Sequence, residues 1–222
     1  MSMKLKIYIF RHGQTYYNKN HIFTGQKNSG LSQRGIKDAK KIAEKLKSRK
    51  FQAAFQTRLS RSKDTLKIVL KYHAECKKII TDDRMIERSY GRLEGKSHKA
   101  FIKKSGNDFY ATLLHWHKID HLGGEDKAKF IVEAGKAEFD IVHRSYKVPP
   151  PGGESIQEVE QRVLEFIKYL ISYMKKNNVS VAISSHGNSM RAFRRYFEKL
   201  SIKQMMELEN PWDDYFEYTI NA

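Results

Sequence analysis

The sequence predicts an α/β protein, a three-layer α/β/α sandwich around a mostly parallel sheet. Two short segments, KLKIYIF at residues 4 to 10 and VSVAIS at 179 to 184, are apolar on both faces, as a strand covered on both sides must be. Helical periodicity follows each of them. The order strand, helix, strand, helix in the first seventy or so residues needs crossover connections, which make neighbouring strands parallel. At 222 residues the chain is long enough to close one good core, so one domain spanning 1–222 is expected.

The elements follow in order. Leu5, Ile7 and Ile9 alternate along the first strand, while Tyr8 and Phe10 fill its other face. From Ser32 the period changes: Ile36, Ala39, Ile42, Ala43 and Leu46 share one helical face, and Ser32 suits the N-cap because its hydroxyl accepts from a free first-turn N–H. FQAAFQT reads as a second strand ending near Thr57, followed by a helix whose Leu66, Val69 and Leu70 point inward. Residues 96 to 140, rich in Lys, His and Gly, predict a helical insertion or lid of two or three short helices broken at Gly106, Gly123-Gly124 and Gly135. After PPPGG, a capping box of Ser155 and Glu158 opens a long helix with Ile156, Val159, Val163, Phe166, Leu170 and Met174 on one stripe. The strand VSVAIS then ends in SHGNSMRAFRRYF.

The bulk numbers narrow the function classes. The formal net charge is +17, a field that concentrates small phosphorylated anions or nucleic acid. The lysines and arginines are spread through nearly every segment as solvated helix faces, and no zinc-finger, RRM-like or KH-like signature is present, which argues against a basic nucleic-acid-binding protein. No apolar run approaches the roughly 20 residues that span a bilayer, so no membrane is expected. The start MSMKLK has no apolar leader region and Cys76 is the only cysteine, which suits a cytoplasmic protein.

Two strands deliver a histidine and a glycine at their carboxyl ends, Arg11-His12-Gly13 and Ser185-His186-Gly187. In open parallel sheets ligands bind in the crevice beyond those ends. Arg11 and Arg61 add guanidiniums, and two helix N-termini are expected to offer free N–H groups to an anion. Such a surround suits a phosphoryl group, whose oxygens take charge-assisted contacts while a neutral imidazole attacks phosphorus. Glu87, in MIERSYGRLEG, is the expected proton donor to the leaving alcohol, held in a loop at the cleft. The rival is a metal site, with HWHKIDH as its strongest segment. Flanking arginines repel a cation and no carboxylate or thiolate sits at ligand spacing from His12 or His186, so no metal is expected.

RHGQTYYN, FTGQKNSGLSQRG, TRLSRSKDT, IERSYGRLEG and SHGNSMRA together resemble the histidine phosphatase superfamily, and within it the cofactor-dependent phosphoglycerate mutases. The resemblance implies that His12 is the residue phosphorylated, that Arg11, Asn18, Arg61 and His186 hold phosphate, and that Glu87 is the acid. It implies substrate contacts at Thr24, Gly25, Tyr90, Gly187 and Asn188. VHRSYKVPPPGGES resembles the mutase loop with paired arginines, here His143 and Arg144, and LSIKQMMELENPWDDYFEY the tail that closes the site. The family's substrate lysine falls at His98, with Lys99 one step on, its tryptophan after Thr-Gly is Gln26, and ENPWDD replaces small turn residues.

A mutase of this kind interconverts 3- and 2-phosphoglycerate, is primed by 2,3-bisphosphoglycerate, requires no metal and forms a homodimer or higher homo-oligomer. Its substrates are small phosphorylated acids. The alternative the departures raise is a histidine phosphatase that hydrolyses small phosphate esters.

Overall fold

A computed structural model describes residues 4–221. In chain order it contains β1 (Lys4–Arg11), α1 (Tyr16–Lys19), α2 (Gln33–Leu46), β2 (Ala53–Gln56), α3 (Ser60–Val69), β3 (Lys78–Thr81), α4 (His98–His115), α5 (Gly124–Arg144), α6 (Ile156–Asn177), β4 (Val181–Ser185), α7 (Gly187–Glu198), α8 (Ile202–Glu207) and β5 (Tyr215–Asn221). The sheet runs β3-β2-β4-β1-β5. All neighbours are parallel except β5, which is antiparallel to β1. This is the three-layer α/β/α sandwich expected from the sequence.

Strand alternation divides the interior into two cores. Ile7, Ile9, Phe55, Val181 and Ile183 face the stripe of α6, where Ile156, Val159, Val163, Phe166, Leu170 and Met174 are fully buried. Tyr8, Phe10, Ala54 and Ala182 face the other way, onto Ile42, Leu46, Leu66 and Val69 of α2 and α3. Complete burial of a side chain such as Ile9 or Phe166 stabilises the fold by roughly 1.5–3 kcal/mol. Both expected caps are present: the Ser32 hydroxyl accepts from the Gly35 N–H at 3.1 Å, and Ser155 and Glu158 form a reciprocal capping box. One expected core residue, Ile36, is 40% exposed. Ala39, Ile42, Ala43 and Leu46 are buried as expected, and in the first turn Gly35 takes the inward place, packed on Gly13, where an added Cβ would lie 2.1 Å from the Gly35 carbonyl oxygen.

β3 and β5 were not anticipated. β3 is a mostly exposed edge strand without an apolar face. In β5 the signal exists, for partly or fully buried Phe216, Tyr218 and Ile220 alternate with exposed Glu217 and Thr219.

Residues 96 to 140 contain two long helices, α4 and α5, instead of short ones. Gly123-Gly124 does separate them, with Gly124 at φ +51°. Gly106 and Gly135, however, lie inside the helices. A Cβ on Gly106 would sit 1.9 Å from the Ile131 carbonyl oxygen, and one on Gly135 would sit 1.9 Å from that of Ile102. These glycines are spacers that let two backbones touch. Gly106→Val is expected to destabilise the pair by about 1–3 kcal/mol; hydrogen exchange should show α4 and α5 amides losing protection while β1 and β4 keep theirs.

Among the described residues no helix is long and apolar enough to cross a membrane.

Candidate active site

β1 and β4 are adjacent and end level, with Arg11 opposite Ser185 in the register and the His12 N–H donating to the Ser185 carbonyl at 3.1 Å. The two strand-end histidines therefore meet, ring centroids 4.9 Å apart. Beyond them lies a cleft of about 510 Å³.

His12 is 2% exposed. Its Nδ1 lies 2.8 Å from the Gly13 carbonyl, which can only accept, so Nδ1 carries the proton and Nε2 has the free lone pair. Arg61 Nε donates to that atom at 3.2 Å. Burial, with Arg61 and Arg11 nearby, holds the His12 pKa well below its ordinary 6.5. The imidazole is thus neutral at pH 7, the form a nucleophile needs.

Arg61 is 1% exposed and also donates to the carbonyls of Lys27 at 2.8 Å and Gly25 at 2.7 Å. One guanidinium therefore fastens α3, His12 and the loop that carries Thr24 and Gly25. Gly25 itself needs φ +50°, and a Cβ there would meet the Glu94 carboxylate. Gln26 ties the same loop to the acid loop, donating to the Glu87 carbonyl at 3.3 Å.

Beneath His12, His186 is fully buried, with Nε2 at 2.8 Å from the Thr57 hydroxyl. Its pKa is held well below 6.5, by burial first and then by Arg61 and His12. Among the described residues, His186 Nδ1 and Arg11 Nε are buried polar atoms without a hydrogen-bond partner. The Arg11 Nε–H can only donate, whereas His186 Nδ1 donates or accepts according to the ring's tautomer; unpartnered buried polar atoms of either kind are rare in folded proteins.

Glu87 sits in a loop, as expected, and its carboxyl caps α7. Oε1 accepts from the N–H groups of Arg88 and Asn188 and from the Asn188 amide, while Oε2 accepts only from the Gly187 N–H at 3.1 Å. Oε2 is the oxygen with capacity left. The same contacts correct the expectation of free helix N-termini. The first N–H groups of α7 are taken by Glu87, and the Ser60 N–H of α3 by the Asn28 side chain at 3.0 Å.

The cleft is lined by His12, Arg11, Arg61 and Glu87 together with Asn18, Thr24, Gly25, Tyr90, His98, His143, Gly187 and Asn188. His186 lies just behind its wall. Lys99 and Arg144 are exposed and do not line it. Each follows a lining histidine on a helix, and one helical step of about 100° turns it to solvent. Sequence reading missed Phe23 and Arg191, and it placed the ENPWDD tail over the site without naming Glu209, Asn210 or Trp212; all five line the cleft. Arg191 was discoverable, standing one helical turn after Gly187 on α7. Trp212 lies in a loop without periodicity.

The far wall differs from the phosphoryl end. Phe23 packs on His98 with centroids 4.4 Å apart, and Tyr90 lies 5.8 Å from His143. Burial, with His98 and Arg144 adding to it, lowers the His143 pKa to about 4; burial and His21 lower that of His98. Both imidazoles are neutral at pH 7. Among the described residues no group of three or more His, Cys, Asp or Glu side chains is placed to hold a metal ion.

These histidines make stability depend on pH. Their folded pKa values lie below the unfolded 6.5, so as pH falls the unfolded chain takes up protons first and the folded state loses ground. Stability is retained above pH 6.5 and lost as pH falls toward the folded pKa values; for His143, whose folded pKa is about 4, the loss between pH 7 and 5 is about 2 kcal/mol, and His12 and His186 act in the same direction. A thermal melt at pH 5 should lie below that at pH 7, by roughly 4–8 °C from His143 alone, and His143→Asn should remove that share. Equal pH sensitivity in that variant would contradict the assignment.

Fold and cleft together define an enzyme of the histidine phosphatase type. The model of the histidine phosphatase superfamily (branch 1) matches residues 7–145 and 132–219, and the chain belongs to that superfamily. It is 31% identical over 205 residues to the 2,3-bisphosphoglycerate-dependent phosphoglycerate mutase of Chlamydia caviae, covering 91% of this chain and 88% of that one. The fold is shared with a mycobacterial glucosyl-3-phosphoglycerate phosphatase, TM-score 0.70 at 20% identity over 98% of this chain and 91% of that one. It is shared equally with the alpha-ribazole phosphatase of Shigella flexneri, TM-score 0.67 at 18% identity over 98% and 96%.

Proposed function

We propose that the protein hydrolyses phosphate monoesters of small acids and alcohols through a phosphohistidine on His12. One observation carries this reading: two buried polar atoms without a partner, the donor Arg11 Nε and His186 Nδ1, stand beside a neutral imidazole whose Nε2 is unprotonated. In the first step His12 Nε2 attacks phosphorus, the N–P bond forms, the ester P–O bond breaks and Glu87 Oε2 gives its proton to the leaving alcohol. In the second step water attacks phosphorus, Glu87 takes a water proton, the N–P bond breaks and Nε2 regains its electron pair. Arg11, Arg61 and His186 hold the phosphoryl oxygens as negative charge is redistributed.

Hydrolysis is favoured over mutation by the far wall. A bisphosphorylated intermediate that turns end for end needs cations at both ends. Here the second end meets Phe23, Tyr90 and two neutral histidines, while Lys99 and Arg144 face solvent and Arg191 is the additional lining cation. The second reading, a mutase primed by 2,3-bisphosphoglycerate, is favoured by the 31% identity to the Chlamydia caviae enzyme.

Kinetics with 3-phosphoglycerate, with and without primer, separates the two. The expected result is phosphate release faster than formation of 2-phosphoglycerate; primed isomerisation outrunning phosphate release would establish the mutase instead. Glu87→Gln is expected to lower turnover of phosphoglycerate by about 10²–10⁴-fold but that of p-nitrophenyl phosphate far less, since only a poor leaving group needs the proton. Equal losses on both esters would assign Glu87 to binding or structure.

A further inference from the structure

We infer that Trp212 is a positioning residue whose indole face holds the Arg11 guanidinium in the plane from which Nε meets the phosphoryl group. This role rests on the phosphohistidine reading and gives a function to a residue of the ENPWDD segment, where the chain departs from the family's tail. The Arg11 Cζ lies 3.6 Å from the Trp212 ring centroid, and the same indole stands edge-on to His12 at 5.8 Å. Little else orients Arg11. Its one hydrogen bond is a long one, Nη1 to the Asn210 carbonyl at 3.4 Å, and among the described residues it forms no ion pair. A desolvated guanidinium over an indole is held firmly.

The indole is itself fastened from both sides. On one side Arg191 donates to the Leu208 carbonyl at 2.9 Å, and Arg194 to the Glu209 carbonyl at 3.0 Å and the Asn210 side chain at 3.1 Å. Asn210 in turn donates to the Gly187 carbonyl at 3.0 Å. On the other side Asp213 and Asp214 pair with Lys41 and Lys45 of α2. The segment is thus tied to α7 and α2. Glu87 and Arg11 both border Gly187, where an added Cβ would lie 3.5 Å from Arg11 Nη2 and 3.6 Å from Glu87 Oε2. With the indole removed, the guanidinium is free to turn toward Glu87, which draws it from the phosphate and engages the proton donor.

Calorimetric titration of the full chain with inorganic phosphate and with orthovanadate tests this. Trp212→Ala and Trp212→Leu are both expected to weaken anion affinity by about 10- to 30-fold, because leucine restores apolar bulk without a π face, while Trp212→Phe stays within about 3-fold of the parent. In an Arg11→Ala background, Trp212→Ala should change affinity by less than about 2-fold, since coupled residues are not additive. Parent-like binding by Trp212→Leu, or losses that multiply in the double variant, would overturn the positioning role alone. A parent protein that binds neither anion would overturn the phosphoryl-transfer reading beneath it.

Discussion

His12→Ala loses turnover of every phosphate ester by on the order of 10⁴-fold or more, and loses acid-labile, base-stable phosphate labelling with it. The size of the effect follows from chemistry. Neighbouring groups can still hold phosphate, but among the described residues no other imidazole lines the phosphoryl end of the cleft. Removal also leaves Arg61 Nε without its acceptor and the Gly13 carbonyl without its donor, a loss of about 1–3 kcal/mol in stability. The labelling experiment with phosphoglycerate or p-nitrophenyl phosphate checks both parts. A variant that retains labelling would place the phosphoryl acceptor elsewhere.

Arg61→Ala is the second large effect, and its signature differs. It removes the charge that holds the phosphoryl oxygens, the donor that aligns His12 and the clamp on the Gly25–Lys27 loop at once. A loss of about 10²–10³-fold in kcat is expected from the electrostatic contact alone. The two freed carbonyls loosen the substrate loop, so KM rises as well. Arg61→Lys should recover little, because three bonds in three directions need the guanidinium fork. Recovery above a tenth of parental activity by lysine would reduce Arg61 to a point charge.

Much of this was legible from residue types and spacing. A strand that ends in Arg-His-Gly, matched by a later one that ends in Ser-His-Gly, located His12 and His186, since parallel neighbours bring their carboxyl ends together. The capping serines fixed the start of α2 and α6 through hydrogen-bond chemistry confined to four residues. What escaped depended on longer-range geometry. Gly106 and Gly135 read as helix breaks because propensity is local, whereas their use is a backbone contact across two helices. Lys99 and Arg144 stood beside lining histidines in sequence but a helical step away in direction. Trp212 had no periodic neighbour to betray it, and Arg191 was within reach on the face of α7 shared with Gly187.

The place of β4 in the sheet has a consequence for how the molecule is made. β4 is the late strand, Val181–Ser185, yet it lies between β2 and β1, and β1 otherwise pairs only with the still later β5. In a growing chain β1 and His12 precede their strand partner and must be held without one until some 170 further residues have followed. Pairing across that separation is slow and leaves apolar strands open to misassociation. The catalytic pair is thereby a product of the final stage of folding: a chain interrupted before Val181 carries His12 but no sheet in which to present it.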